Sequence, residues 1–332
     1  RVWILNPDEQ GRIFLYDKYV RQLALEGLDG PFWYTHNLAM NEFPKGQYWL
    51  SVARRLSHFD GKTLTHYNLS DFPLPTSNYF AVFLSNNKLL LGGRESETYM
   101  VDLSFDRWAS YEGLNFQCED PDGNYWFLDH EGRLISAVNG ESDWRVFDET
   151  DGLIDTPNRA FASSDGTVWV SGQHDGIAAI SFMENGVFKR LAYPDLGNIF
   201  SHLAVLETSD GSVIFGGGSE LGALENRSGG AIILRKESGR YRAAHIAPPL
   251  FPSRPAMIVE HLDDGLWFAG DRVMRSGSKG TLAPEFVDIY GGNRWTDHMV
   301  VDSTNRLWIA SWGKGIYELR GEKRIVHDEL SG

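Results

Sequence analysis

Four histidines, His130, His174, His202 and His298, are the side chains in this sequence best suited to moving a proton near neutral pH. As a set they could serve as general acids and bases on a sugar acid, the chemistry of a lyase or hydrolase. They could equally converge on a metal. Neither use has a motif behind it, because no His-Glu-x-x-His or Cys-x-x-Cys spacing occurs. Asp120, Asp122 and Asn124 alternate like the start of a calcium loop, but strand-type residues resume at Tyr125, before later ligands could be supplied. The glycine run Gly216-Gly217-Gly218-Ser219-Glu220-Leu221-Gly222 lacks the Gly-Lys-Ser/Thr ending of a phosphate loop. No Gly-x-Ser-x-Gly elbow supports a serine hydrolase. Cys118, the single cysteine, falls on an expected inner strand and reads as an inert packing residue. The expectation is a site with no metal, no cofactor and no catalytic residue, leaning away from an enzyme. Lyase or hydrolase action on sugar acids is the alternative.

What would position these side chains is a repeat. An Asp-Gly or Asn-Gly turn is followed by an apolar strand centred on an aromatic, then by small residues. Asp122-Gly123-Asn124-Tyr125-Trp126-Phe127, Asp165-Gly166-Thr167-Val168-Trp169-Val170 and Asp264-Gly265-Leu266-Trp267-Phe268 are the clearest copies. The central position recurs at residues 14, 49, 90, 126, 169, 214, 267 and 308, a mean step of about 42, which suits a four-stranded propeller blade. No amphipathic run supports helical repeats of that length. Asp-Gly and Asn-Gly pairs suit the tight primed turns between a first and a second strand. The recurring Trp is expected to be a wedge between blades.

The chain therefore reads as all-β, one β-propeller domain over 1–332, with eight four-stranded blades and seven as the alternative. The blades fall near 1–34, 35–75, 76–113, 114–155, 156–199, 200–252, 253–295 and 296–332. Loops before the first strand and after the second strand of each blade should crowd around one channel mouth. Before the first strand sit Asn37, Asn78, Asn115, Asn158, His202, Arg254 and His298, at nearly equal offsets from the central position. After the second strand come Arg54, Arg94, His130, His174, Arg272 and Trp312. An Asn at such a junction often caps its own turn. Together, however, the two sets make a cationic and aromatic lining. Trp312 or Trp295 would take the apolar face of a sugar, Arg a carboxylate, and Asn and His the hydroxyls.

Asp302-Ser303-Thr304-Asn305-Arg306-Leu307-Trp308-Ile309-Ala310-Ser311-Trp312-Gly313-Lys314-Gly315-Ile316-Tyr317 resembles the repeat of the two-component regulator propeller family, and so does Glu119-Asp120-Pro121-Asp122-Gly123-Asn124-Tyr125-Trp126-Phe127. That family's pattern runs Asp-x-x-Gly-x-Leu-Trp-Ile-Gly-Thr and then Gly-Gly-Leu. Four copies match it strongly. The first three depart most, with Leu90 in place of the Trp. The resemblance implies an extracytoplasmic sensor of a bacterial signalling protein, periplasmic or extracellular, that binds a small molecule or an oligosaccharide. A homodimer is compatible with it. A protein–protein interaction platform is a further alternative.

Composition excludes other partners. Lys plus Arg number 31 against 45 Asp plus Glu, a formal net charge of −14. That balance disfavours nucleic acid and anionic membrane surfaces. No apolar run is long enough to span a bilayer, so no membrane contact is expected of this segment. The start at Arg1, without an initiator Met, reads as a mature or excised piece.

Overall fold

The computed structural model describes residues 2–5, 13–16, 20–23, 39–42, 46–52, 55–68, 80–83, 88–92, 97–102, 107–138, 143–218, 230–246, 257–262, 265–270, 273–276, 284–287, 296–311, 315–320 and 323–327. Its strands run β1 (Val2–Leu5), β2 (Ile13–Tyr16), β3 (Val20–Leu23), β4 (Ala39–Glu42), β5 (Tyr48–Val52), β6 (Arg55–Phe59), β7 (Leu64–Asn68), β8 (Phe80–Phe83), β9 (Lys88–Gly92), β10 (Glu97–Asp102) and β11 (Arg107–Glu112). They continue as β12 (Leu114–Glu119), β13 (Tyr125–Asp129), β14 (Leu134–Ala137), β15 (Trp144–Phe147), β16 (Thr156–Ala162), β17 (Val168–His174), β18 (Ile177–Glu184), β19 (Val187–Ala192), β20 (Ile199–Glu207) and β21 (Val213–Gly218). The last are β22 (Gly230–Glu237), β23 (Arg240–Ile246), β24 (Met257–His261), β25 (Gly265–Ala269), β26 (Val273–Ser276), β27 (Pro284–Phe286), β28 (Thr296–Val301), β29 (Leu307–Ser311), β30 (Gly315–Arg320) and β31 (Lys323–His327).

Each successive group of four from β4 onward is one antiparallel sheet in sequence order, which gives seven four-stranded blades. The leading copy forms a three-stranded sheet, β1-β2-β3. The expected eight four-stranded blades are thus corrected to the alternative, seven, because the described residues of the first copy supply three strands. First strands of neighbouring blades touch in order from β12 through β16, β20 and β24 to β28, as they must around a central channel.

The repeat does what its chemistry requires. Every central position, from Phe14 to Trp308, lies on the second strand of its sheet. Of these, Leu90, Trp169 and Ile214 are fully buried and Trp49, Trp126, Trp267 and Trp308 nearly so. Trp169 shows the wedge directly, since it packs with Phe182 of its own blade and with Phe215 and Tyr241 of the next. Middle strands are buried throughout, as in β13 and β14, whereas three of the four residues of the outer strand β15 are exposed.

Six residues before Trp126, Trp169, Trp267 and Trp308 stands a polar side chain, which in three of the four anchors the turn. Asp120 Oδ2 accepts the indole N–H of Trp126 at 2.9 Å, and its Oδ1 accepts the backbone N–H groups of Asp122 and Asn124. Those bonds use the carboxylate as a turn anchor, which removes the calcium-loop reading. Asp302 receives the Trp308 indole at 2.9 Å, and Ser163 receives that of Trp169 at 3.2 Å. In the sixth blade the position is His261, whose Nε2–H donates to the Asn305 carbonyl, and the buried Trp267 Nε1 has no partner. Trp308→Phe should therefore cost about 1.5–3 kcal/mol more than Trp267→Phe, the worth of one hydrogen bond to a charged acceptor. Urea midpoints of the two variants measure this, and equal losses would show that the indole bond carries no weight.

Candidate mouth site

The start of β16 pairs with the end of β17, Thr156 lying opposite Gln173. Loops entering a first strand and leaving a second strand therefore share one edge, as expected. The described part of that edge is contiguous from blade three to blade five. A Cβ on Gly132, in the turn after β13, would lie 3.3 Å from Pro157 Cδ and 3.4 Å from the Asp155 carbonyl. This turn thus packs on the chain entering blade four.

His174, at the end of β17, sits between two partners. Its Nδ1 is 3.2 Å from Asp155 Oδ2, and its Nε2 is 2.6 Å from Arg190 Nη1. The Asp155 backbone N–H also points at Nδ1, at 3.3 Å, so both ring nitrogens are engaged by neighbouring groups. Arg190 also donates to the Leu153 carbonyl at 2.6 Å. Asp155 Oδ2 further accepts the Asp175 backbone N–H at 2.8 Å. Burial works to raise the Asp155 pKa, but hydrogen bonds from Asp175 and Thr156 and the charges of His174 and Arg190 bring it below the usual carboxylate range. The Asp–His contact resembles a catalytic dyad, yet the nitrogen a general base needs is taken. His174 orders the loop rather than offering a lone pair to a substrate.

Asn158 lies where the β16–β17 register shifts, between Pro157 and Arg159. Its Nδ2 donates to the Phe200 carbonyl at 2.7 Å, tying blade four to the first strand of blade five. Its Oδ1 is buried without a partner. The same is true of Asp155 Oδ1, Asn198 Oδ1, Ser171 Oγ and Arg190 Nε. Among the described residues, only one further buried side-chain polar atom, Trp267 Nε1, shares that condition. Five of the six thus belong to blade four and the loops leading into blades four and five. Each such atom costs about 1–3 kcal/mol, so the expense is concentrated at one sector of the mouth.

Of the other expected site residues, His130 is exposed in the turn after β13, 3.9 Å from the Glu131 carboxylate. His298 is exposed on the first strand β28. Asn115 lies on β12, where its carbonyl accepts from Gln117 Nε2 at 3.2 Å. His202 lies on β20, and its side chain is outside the described residues. Asn37, Asn78, Arg54, Arg94, Arg254, Arg272, Trp295 and Trp312 also lie outside them. Asn158 and His174 are therefore the expected residues brought into one sector. Asp155, Asn198 and Arg190 join them from positions that offset counting did not examine. Among the described residues no cluster of His, Cys, Asp and Glu could hold a metal ion.

Cys118, on the first strand β12, keeps some contact with solvent, but burial of its thiol pushes the pKa up to about 12. A thiol that titrates so high stays protonated and unreactive. It should resist an aromatic disulfide reagent at pH 8 until the chain is unfolded, and rapid labelling of the native protein would refute that placement.

No protein-family model matches the chain, and no curated protein matches it either. Solved structures do. A catalytically inactive virginiamycin B lyase from Staphylococcus aureus, crystallised with quinupristin, aligns over 82% of this chain and 91% of its own, at 16% identity and a TM-score of 0.57. PorZ, a surface component of the type-IX secretion system of Porphyromonas gingivalis, aligns over 99% of this chain and 56% of its own, at 12% identity and a TM-score of 0.50. The extracellular domain of BT4673 from B. thetaiotaomicron aligns over 87% of this chain and 52% of its own, at 14% identity and a TM-score of 0.44. Identities this low speak for the propeller fold alone, and the last match is too distant to bear on function.

Proposed function

We propose that this propeller is the ligand-binding, extracytoplasmic portion of a bacterial signalling protein, and that it takes a carbohydrate at the channel mouth and releases it unchanged. The observation that carries the reading is the cluster of uncompensated polar atoms between Asp155 and Asn198. Four of the five are oxygens, and a sugar hydroxyl can donate to any of them once the loops part slightly. A native structure concentrates such a penalty where an occupant relieves it. The sensing step would be a shift in the population of mouth-loop poses, transmitted to a neighbouring domain or a dimer mate.

A thermal-shift screen of an oligosaccharide panel tests this. At a hundredfold excess over its dissociation constant, a true ligand stabilises by about 2.7 kcal/mol. Asn158→Leu and Asn198→Leu should abolish the shift. A panel without a single stabilising sugar would end the carbohydrate reading. The lyase alternative is tested with polyuronates, which would yield an ultraviolet-absorbing unsaturated product. Because Arg190 occupies His174 Nε2, no product is expected, and product that disappears in His174→Ala would reverse the assignment.

A further inference from the structure

One charged side chain stands where the fold gives it no structural use. Arg159 is the fourth residue of β16, a first strand flanked by the first strands of blades three and five. Its neighbour Ala160 is fully buried, yet Arg159 is exposed. In the middle of an innermost strand, exposure of this kind means contact with the central channel. Among the described residues Arg159 has no hydrogen bond and no ion pair, in contrast to Arg133, Arg190 and Arg306, each held by a carboxylate or a histidine. Glu207 and Glu260, on the two first strands that follow β16, are taken up elsewhere. Glu207 is engaged by the backbone N–H and hydroxyl of Ser164, and Glu260 by those of Ser209. Protein crowds the guanidinium on most sides, and this loss of water lowers its pKa, opposed only by the Cys118 thiol nearby.

We infer that Arg159 makes the channel below the mouth an anion-binding site, recognising a carboxylate carried by the ligand. The inference rests on the mouth reading above and sharpens it from a sugar to an acidic sugar. A cation without a partner, partly stripped of water, gains more from a carboxylate than a solvated surface Arg does. Ser171, opposite Arg159 in the β16–β17 register, adds a hydroxyl without a partner from the neighbouring strand. Besides Thr156, which opens β16, His298 and Val300 are the other exposed positions among the first-strand residues whose side chains are described. Among the first-strand side chains described, Arg159 is the exposed Arg, Lys, Asp or Glu, inside a chain of net charge −14. An anion reaches that charge only where the mouth loops shield it from the rest of the field.

The test uses acetate, galactose and galacturonate with the wild-type chain, Arg159→Gln and Arg159→Lys, after urea midpoints show that each variant is folded. Acetate titrated against chloride at equal ionic strength should move one arginine side-chain Nε–H resonance saturably, a signal absent in Arg159→Gln. Galacturonate should bind at least about tenfold more weakly to Arg159→Gln, roughly 1.4 kcal/mol, with Arg159→Lys between the two and galactose unaffected. If galactose and galacturonate bind alike to all three proteins, the anion site is refuted while the sugar-binding reading stands. If acetate binds at Arg159 but no sugar stabilises the chain, the anion site stands and the carbohydrate reading falls. Failure of acetate and both sugars overturns both.

Discussion

Glu318→Ala is expected to lower stability by about 1.5–3 kcal/mol, the worth of charge-assisted hydrogen bonds to a buried carboxylate whose partners keep some access to water. Glu318 lies on β30 and is fully buried. Its carboxylate is contacted by Arg306 at 3.2 Å, by His327 at 3.1 Å and by Arg320. Arg306 also pairs with Asp302 at 2.6 Å. Removing Glu318 takes a shared acceptor from Arg306, Arg320 and His327, whose side chains keep 20%, 47% and 23% of their exposure. Glu318→Gln should cost less, because the amide oxygen still accepts. If Glu318→Ala moved the urea midpoint no more than an exposed substitution does, the network would be ornament.

The same groups set the acid limit of the fold. Burial works to raise the pKa of both Glu318 and Asp302. Hydrogen bonds from Arg320 and His327 at Glu318, and from Trp308, Thr304 and Arg306 at Asp302, outweigh it and hold both carboxyls below their ordinary range. A depressed folded-state pKa means the unfolded chain takes up protons first as pH falls. Their stabilisation is therefore complete above the ordinary carboxylate range and is lost below it, as pH drops through the folded-state values. Asp302→Asn should flatten the decline in melting temperature below about pH 4, the ordinary carboxylate range, while lowering the plateau at neutral pH.

The architecture was legible because one packing event recurs. A Trp wedge needs the same turn before it and the same apolar strand around it, so Trp126, Trp169, Trp267 and Trp308 leave matching words in the sequence. The leading copy around Phe14 carries the same word in weakened form, and it forms a sheet of three strands rather than four. The site was half legible. Asn158 and His174 could be placed in one candidate sector because counting from the Trp locates loop junctions. Arg190 was not, because it reaches His174 from an outer strand, and strand positions facing a neighbour look alike in sequence. Arg159 left a signal that could have been used: a charge opening the otherwise apolar stretch Arg159-Ala160-Phe161-Ala162 of a first strand. A residue of that kind must face the channel or be paired, and only the folded chain decides which.

Gly152→Ala is expected to be a severely damaging single-methyl change at the mouth. Gly152 closes the 3-10 turn Glu149–Asp151 with φ +89°, in the left-handed region that side chains avoid. A Cβ there would lie 2.1 Å from the Phe188 carbonyl oxygen. Phe188 cannot yield, since it is buried on β19 and packed edge-on against Phe147. Gly166 provides the control. It has nearly the same φ, +83°, and a methyl group added there would meet nothing within 4 Å. Gly166→Ala should therefore show the backbone strain alone, about 1 kcal/mol, whereas Gly152→Ala adds a collision and should lose about 3 kcal/mol or more. The consequence is local as well as global. Gly152 immediately precedes Leu153, whose carbonyl receives Arg190, and Arg190 in turn holds His174. Displacing the turn should release that chain of contacts and raise amide hydrogen exchange at residues 149–155 and 174–175 before the rest of blade four responds. Equal midpoint shifts for the two alanine variants would mean that the turn is free to move away from Phe188, and that the mouth is less tightly built than these contacts imply.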